Sequence, residues 1–449
     1  MSVYRKVSAF LNRHGFSAAG YDVNTLIESL LYDMEKGLSE GAGKIDSMDG
    51  AQYMIPTWGL PPESAPKNQK IIVIDAGGTN FRSCLVTFDE NGNSTISDME
   101  KTSMPGIERE LSKKEFFDAI ANNLEHLKNK ADRIGFCFSY AMDITPDGDG
   151  VVTKFSKEIK ASEVEGSVVG ECLAEALVQH GWKKPSKVIL LNDTTAALLA
   201  GASDAKEGRS YSSYVGFILG TSLNAAYIES NPIKKIEDVR DSAGNPPPAS
   251  QIIVCESGSF NKLQASDFDF EYDKTTVTPG LYRIEKMCSG AYLGPVSLVA
   301  LKHAAEEGLF TAKAADAIKA LKKLELKEID AFLRAPGNSN NPLGAVAAAG
   351  TREDVDTVYT ICDCIIERSA RLAASIIASS VIKCGKGTSP SCPVGVVCNG
   401  TTYYKTHNLR NRICGYLNDV LTSQRHLYFE LLTVEDDITL GTAIAAAER

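Results

Sequence analysis

Three short stretches of this chain place reactive side chains at the ends of apolar runs. In IIVIDAGGTNFRSCLVTFD, residues 71–89, Asp75 is followed by Ala76-Gly77-Gly78-Thr79-Asn80 between two β-branched runs. Glycine permits a tight reversal and lets a ligand reach backbone N–H groups able to hold an anion. An aspartate beside such a turn either caps it or handles the cation that accompanies the anion. SSYVGFILGTSLNAAYIES, from residue 212, repeats the device as strand, Gly-Thr turn and strand, with Asn224 downstream. LLND at 190–193 ends a strand in Asn192-Asp193 before the small-residue helix TTAALLAGA. That is where α/β folds present reactive carboxylates, and it is equally a place for a helix N-cap.

Other chemistries are excluded. The glycine pair joins strand to strand, whereas a P-loop or dinucleotide fingerprint joins strand to helix. Gly43-Lys44 has Leu38 and Ile45 where a P-loop needs glycine and a hydroxyl, and no G-x-S-x-G, H-E-x-x-H or H-R-D occurs. Asp147-Gly148-Asp149-Gly150 lacks the ligand series of an EF-hand and reads as a turn. The eleven cysteines lie mostly in apolar runs, as reduced core thiols do, and Cys362-x-Cys364 has no histidine pair near it for a zinc site. A net charge of −10 offers no broad attraction to nucleic acid or an anionic membrane, so local donors must hold any anionic ligand. Arg5, Lys6, Arg13 and His14 interrupt the first residues, unlike a signal peptide, and LAASIIASSVI at 372–382 is about half a membrane span. A cytoplasmic protein is expected.

The elements that must position these residues follow from periodicity. Helical spacing covers much of 1–50, and the proline-rich 55–69 should be irregular. Strands are expected at 71–75, 81–88 and, after an Asn91-Gly92 turn, 94–100. A helix over SKKEFFDAIANNLEHLKN precedes a strand at RIGFCFSY, and a helix over SVVGECLAEALVQHG precedes the strand KVILLND. Polar loops fill 230–250 and 334–344. Beyond 281 the chain is mostly helical, with a short strand from 394 and a closing helix GTAIAAAER. The two Gly-Thr units suggest one element in each of two lobes, unless such turns recur by chance. Ser139, Ser156-Lys157, Glu256 and Glu285 each interrupt apolar sequence and together suit a neutral polyol, whose buried hydroxyls each need a partner.

MEKGL at 34–38, MIPTW at 54–58, DAGGTNFR at 75–82, GFCFS at 135–139, LLNDT at 190–194, LGTSLNAAYIE at 219–229, CESGSF at 255–260 and EKMCSGAYLG at 285–294 occur in the order found in hexokinases. The chain therefore resembles the hexokinases of the actin-like ATPase and sugar kinase superfamily, over nearly its whole length. The resemblance implies an α/β, two-lobed actin-like ATPase fold, each lobe a ribonuclease-H-like mixed sheet flanked by helices, with an active-site cleft between them. It divides the chain into an N-terminal helical segment packing on the large lobe (1–70), a small lobe (71–192), a large lobe (193–436) and a C-terminal helix returning to the small lobe (437–449). It further implies an ATP-dependent hexokinase acting on the 6-hydroxyl of a hexose, glucose above mannose or fructose. Asp193 would be the base and Lys157 would neutralise charge nearby, with Ser139, Ser156, Lys157, Asn192, Asp193, Asn224, Glu256 and Glu285 on the sugar. Gly77, Gly78, Thr79, Asn80 and Arg82, with Gly220, Thr221, Ser222, Gly400 and Thr401, would surround ATP, and Asp75 would orient Mg2+ through water. A monomer or homodimer is expected. The alternatives are a sugar-binding regulator with little catalysis and an ATPase of the actin or chaperone kind.

The pattern departs from the family at several points. The sugar loop is Phe155-Ser156-Lys157-Glu158-Ile159 rather than Trp-Thr-Lys-Gly-Phe, and ESGSF lacks a tryptophan. Ser222 replaces the last glycine of Gly-Thr-Gly, and would strain or reshape the turn if φ > 0 is required there. Asn399-Gly400-Thr401 stands for Asp-Gly-Ser, and Asp436-Asp437-Ile438-Thr439 for a later Asp-Gly-Ser-Gly. These changes bear on sugar preference and on the phosphoryl donor.

Overall fold

The β-branched runs become strands β1 (Ile55–Pro56), β2 (Gln69–Gly77), β3 (Asn80–Phe88), β4 (Ser94–Ser103), β5 (Arg133–Phe138), β6 (Ala141–Ile144), β7 (Gly150–Lys154), β8 (Lys187–Leu191), β9 (Ser213–Leu219), β10 (Leu223–Glu229), β11 (Gln251–Val254), β12 (Val394–Asn399) and β13 (Phe429–Leu432). The structure is a computed structural model that describes residues 2–16, 20–39, 52–78, 80–155, 159–203 and 209–448.

The first sheet has the order β4-β3-β2-β5-β8 and the second β1-β11-β10-β9-β12-β13, with β6 and β7 forming a separate hairpin. In the first, β4, β3 and β2 are antiparallel and β2, β5 and β8 parallel. In the second, β11, β10 and β9 are antiparallel and β9, β12 and β13 parallel. Leaving β1 aside, the two sheets share one order and one sense, so the repeat of Gly-Thr turns is a repeat of whole sheets. This is the mixed, two-lobed α/β architecture expected. Gly77 pairs with Asn80 and Leu219 with Leu223, so each turn closes the hairpin that opens its sheet.

Helices α1 (Val3–Arg13) and α2 (Val23–Ser39) pack on the 32-residue helix Arg352–Lys383. Arg368 of that helix is fully buried, pairs with Asp269 at 2.6 and 2.8 Å, and lies 4.5 Å from the Phe16 ring centroid. Ser112 and Glu115 cap α3 (Lys113–Asn123) reciprocally. The Asp147–Gly150 run is a turn, and its Asp149 carboxylate accepts the Gly150 amide at the head of β7 and the Gly170 and Glu171 amides at the start of α4 (Val169–Gln179). Three readings need adjustment. β1 forms inside the proline-rich stretch because Ile55 pairs with Val254; the helix read through residue 129 stops at Asn123 and continues as a 3-10 turn; the β6–β7 hairpin carried no periodic signal. Among the described residues no helix is long and apolar enough to cross a membrane.

Strand β2 is buried on both faces, which is why it reads as a continuous apolar run. Ile72 and Ile74 face the cluster shared with α3 and α4. Ile71 and Val73 face a cluster holding α5 (Asp193–Ser203), the closing helix Asp437–Glu448, and Ala226, Ile252 and Val254 of the second sheet. Those two helices thus lie between the sheets, and they touch by backbone. A Cβ on Gly441 would stand 1.8 Å from the Ala196 carbonyl oxygen, and one on Gly216 2.1 Å from that of Thr194. Gly441→Ala should therefore cost about 1–3 kcal/mol by forcing the helices apart; an unfolding midpoint in urea equal to that of the wild type would contradict this close contact.

Candidate active site

Asp75 lies opposite Arg82 of β3 and Cys137 of β5, with its carboxylate 3.3 Å from the Arg82 guanidinium. Burial raises its pKa and Arg82 partly offsets the rise. Gly78 takes φ +59°, the left-handed conformation that glycine favours, and its carbonyl accepts the Tyr140 hydroxyl at 2.9 Å. Asn80 opens β3. Thr79, Ser156, Lys157 and Glu158 lie outside the described residues.

Ser139 connects this hairpin to the strand-end carboxylate. Its N–H donates to the Ala76 carbonyl at 3.1 Å, and its Oγ lies 3.2 Å from where a Gly77 Cβ would stand. The same hydroxyl donates to Asp193 Oδ2 at 3.4 Å. Asn192 and Asp193 divide the two duties read from LLND. Asn192 Oδ1 accepts both the N–H and the hydroxyl of Thr194, at 2.9 and 2.5 Å, and so caps α5. Asp193, the first residue of α5, accepts the Thr194 amide through Oδ1 at 2.8 Å and turns Oδ2 to Ser139.

A second group gathers beside the other hairpin. Asn224 Nδ2 donates to Glu256 at 2.9 Å, and its Oδ1 accepts the Ala225 and Ser257 amides. Glu256 is held at φ +53°, and Glu285 Oε2 accepts the Leu223 amide at 3.0 Å. The turn itself is tied down by backbone: the Gly220 carbonyl accepts the Thr402 hydroxyl at 2.7 Å and the Gly290 amide at 2.8 Å, and the Thr221 carbonyl accepts the Ser289 hydroxyl. Gly400 packs on Leu219 and Gly220, with Thr401 next to it at the head of a short helix. Ser222 is absent from the positive-φ residues, and its carbonyl accepts the Gly220 amide at 3.0 Å. Ser222 thus takes an ordinary backbone conformation, without the strain a positive φ would impose.

The sequence reading missed one residue. Asp437, 4% exposed at the first position of the closing helix, accepts Asn399 Nδ2 at 2.5 Å and the Ile438 amide at 2.8 Å through Oδ1, while Oδ2 is buried without a partner. Burial pushes this acid up to about 6, and the Asp193 and Asp436 charges add to the rise. Its signal was the Asp436-Asp437 pair at the head of an apolar helix, visible in the sequence only as a missing glycine.

Two hexokinase family models match the chain, one over residues 214–448 and the other over 12–203. The chain belongs to the hexokinase family. It is 26% identical over 445 residues to Hexokinase-1 of Schizosaccharomyces pombe, covering 95% of this chain and 87% of that one. Hexokinase-2 of Candida albicans is likewise 26% identical, over 96% of this chain and 90% of its own. A solved hexokinase from Schistosoma mansoni complexed with glucose shares the fold at a TM-score of 0.80 and 23% identity, covering 100% and 99% of the two chains. The enzyme is thus a sugar kinase of this fold.

The buried acid gives a stability prediction. Asp437 titrates at 3.8 in its ordinary state and at about 6 in the folded enzyme, so folding favours its protonated form. No cost exists below the lower value; stability falls as pH rises between the two, and above about 6 the whole penalty, about 3 kcal/mol, is present. Asp437→Asn should stabilise the enzyme by up to that amount at about pH 7.5 and not at all below about pH 4, as read from urea unfolding.

Proposed function

We propose that the enzyme transfers the γ-phosphoryl group of Mg-ATP to the primary 6-hydroxyl of a hexose, with glucose the preferred sugar. The observation that carries this reading is the Ser139 bridge, which holds Asp193 against the Gly77-Gly78 turn. The glucose bound by the Schistosoma relative supports the choice of sugar.

An alcohol is a poor nucleophile until its proton has an acceptor. Asp193 takes that proton while the sugar oxygen bonds to the γ-phosphorus and the bond to the bridging oxygen breaks, releasing ADP. Asn224, Glu256 and Glu285 bind the remaining hydroxyls together with Ser139, Ser156 and Asn192, the carboxylates as acceptors and the two amides through their N–H groups, and Lys157 balances the charge. Glu256 holds a left-handed backbone that costs about 1 kcal/mol or more, a strain fixed by its bond to Asn224, so the acceptor is set before sugar arrives. The Gly77–Asn80 and Gly220–Ser222 turns, with Arg82, Gly400 and Thr401, face the donor's phosphates.

Asp75 suits a hard cation, since it is an oxygen donor at the strand end, and among the described residues no group of three or more acids, histidines or cysteines is arranged to hold a metal alone. A cation there would take most of its ligands from water and phosphate, which is how magnesium binds. When bound, it neutralises charge on the donor. All eleven cysteines are free thiols, which suits a reducing compartment, and we place the enzyme in the cytoplasm.

Asp193→Asn should lower kcat by about 100- to 10,000-fold with hexose affinity retained, measured by ADP release over a panel of glucose, mannose, fructose and amino-hexoses and by calorimetry. Hexose binding without ADP release for any sugar in the wild type would instead favour the regulatory reading. ADP release without sugar would favour an ATPase.

A further inference from the structure

The two sheets share one strand order, and each ends in a helix: α5 follows β8 and the closing helix follows β13. Both helices begin with an aspartate, and in both the Oδ1 atom accepts the next residue's amide at 2.8 Å. Asp437 is therefore the repeat counterpart of Asp193. The helices pack backbone to backbone through Gly441, which sets their heads in each other's field.

Asp437 also reaches the donor side. Its partner Asn399 ends β12, where it pairs with Ile218 of β9, and the next residue, Gly400, packs on Leu219 and Gly220. Among the described residues, the charged or titratable groups that bear on Asp437 are Asp193 on α5, Asp436 on its own helix and Tyr404 on the short helix after β12. Its hydrogen bonds come from the neutral Asn399 amide and the Ile438 N–H. Among the described residues no positive charge is set against this carboxylate, and Oδ2 is buried without a hydrogen-bond partner.

We propose that Asp437 tunes the donor side of the transfer reaction: held by Asn399 at the head of the closing helix, it sets a buried carboxylate behind the Gly220 turn, where it opposes the donor's phosphates. This rests on the proposed transfer reaction, with the Gly220 turn on the donor's phosphates. Substrate chemistry follows from it. The donor is met by a negative charge when the acid is ionised and by a neutral group when it is protonated, while the hexose, bound by Asn224, Glu256 and Glu285, is not affected.

The test uses the full chain and compares wild type with Asp437→Asn, which keeps an oxygen acceptor for Asn399, and with Asp437→Ser in case the first variant folds poorly. The expected result is a KM for Mg-ATP about threefold below wild type at about pH 8 and equal to it at about pH 5, with an unchanged hexose KM. Asp437→Glu should restore the wild-type pattern. A donor KM ratio that is the same at both pH values overturns the inference. Asp193→Asn is measured in parallel. If that variant retains full transfer activity, the base reading itself fails; if it is inactive and the Asp437 profiles are unmoved, only the role given to Asp437 fails.

Discussion

The site depends on a contact between two peptide backbones. Gly441 of the closing helix and Gly216 of β9 press against the carbonyls of Ala196 and Thr194 in the first turn of α5, with no side chain between them. Such a contact has little slack, because packed interiors transmit strain rather than absorb it. Asp193 opens the same turn, so its carboxylate is fixed relative to the second sheet by peptide contact and relative to the first by Ser139. The cluster around α5 and the closing helix holds side chains of both sheets, and a movement of one lobe against the other must pass through it.

Electrostatics pull against this arrangement. The chain carries a net charge of −10, and Asp75, Asp193 and Asp437 bring three acids into the region where, in the proposed reaction, a polyphosphate must also bind. Cys137, fully buried, registers two of them: burial pushes its thiol up, and the Asp75 and Asp193 charges push it further. Arg82 is half exposed and already paired with Asp75. Among the described residues, the N–H groups of the two turns are neutral donors, which hold an anion without adding a fixed opposite charge.

Much of this was legible in the sequence, for identifiable reasons. β2 and β9 announced themselves because both are long β-branched or aromatic runs ending in glycine, and both hairpins stand where that pattern put them. Asn192 and Asp193 were placed correctly at a strand end, but which of them caps α5 was not readable, since either side chain can do so and the choice is made by Ser139, which lies 54 positions away. The β6–β7 hairpin was missed because it is short and partly polar. Asp437 was missed for a different reason. A buried, unpaired acid is recognisable only by its surroundings, and its surroundings come from β12 and α5, far away along the chain.

Ser222, Asn399 and Asp437, which depart from the hexokinase pattern, are accommodated by local hydrogen bonding, and the neighbouring Asn224 group is tied differently. Asn224 alone makes three hydrogen bonds, to Glu256, Ala225 and Ser257, and Glu285 holds the Leu223 amide next to it. Any change there leaves several buried polar groups unsatisfied at once, each at a cost of about 1–3 kcal/mol. The Gly220–Ser222 turn is held mostly through carbonyls: Gly220 to Gly290 and Thr402, Thr221 to Ser289, Ser222 to Gly220. A carbonyl accepts the same bond whatever its own side chain, so Ser222 enters at an ordinary φ without disturbing the turn. The substitutions at 399 and 437 are coupled differently, since the Asn399 amide donates to the Asp437 carboxylate at 2.5 Å. An aspartate at both positions would set two carboxylates against each other in a buried space, and a glycine at 437 would leave the Asn399 amide without this acceptor. Asn399 and Asp437 are thus consistent only as a pair.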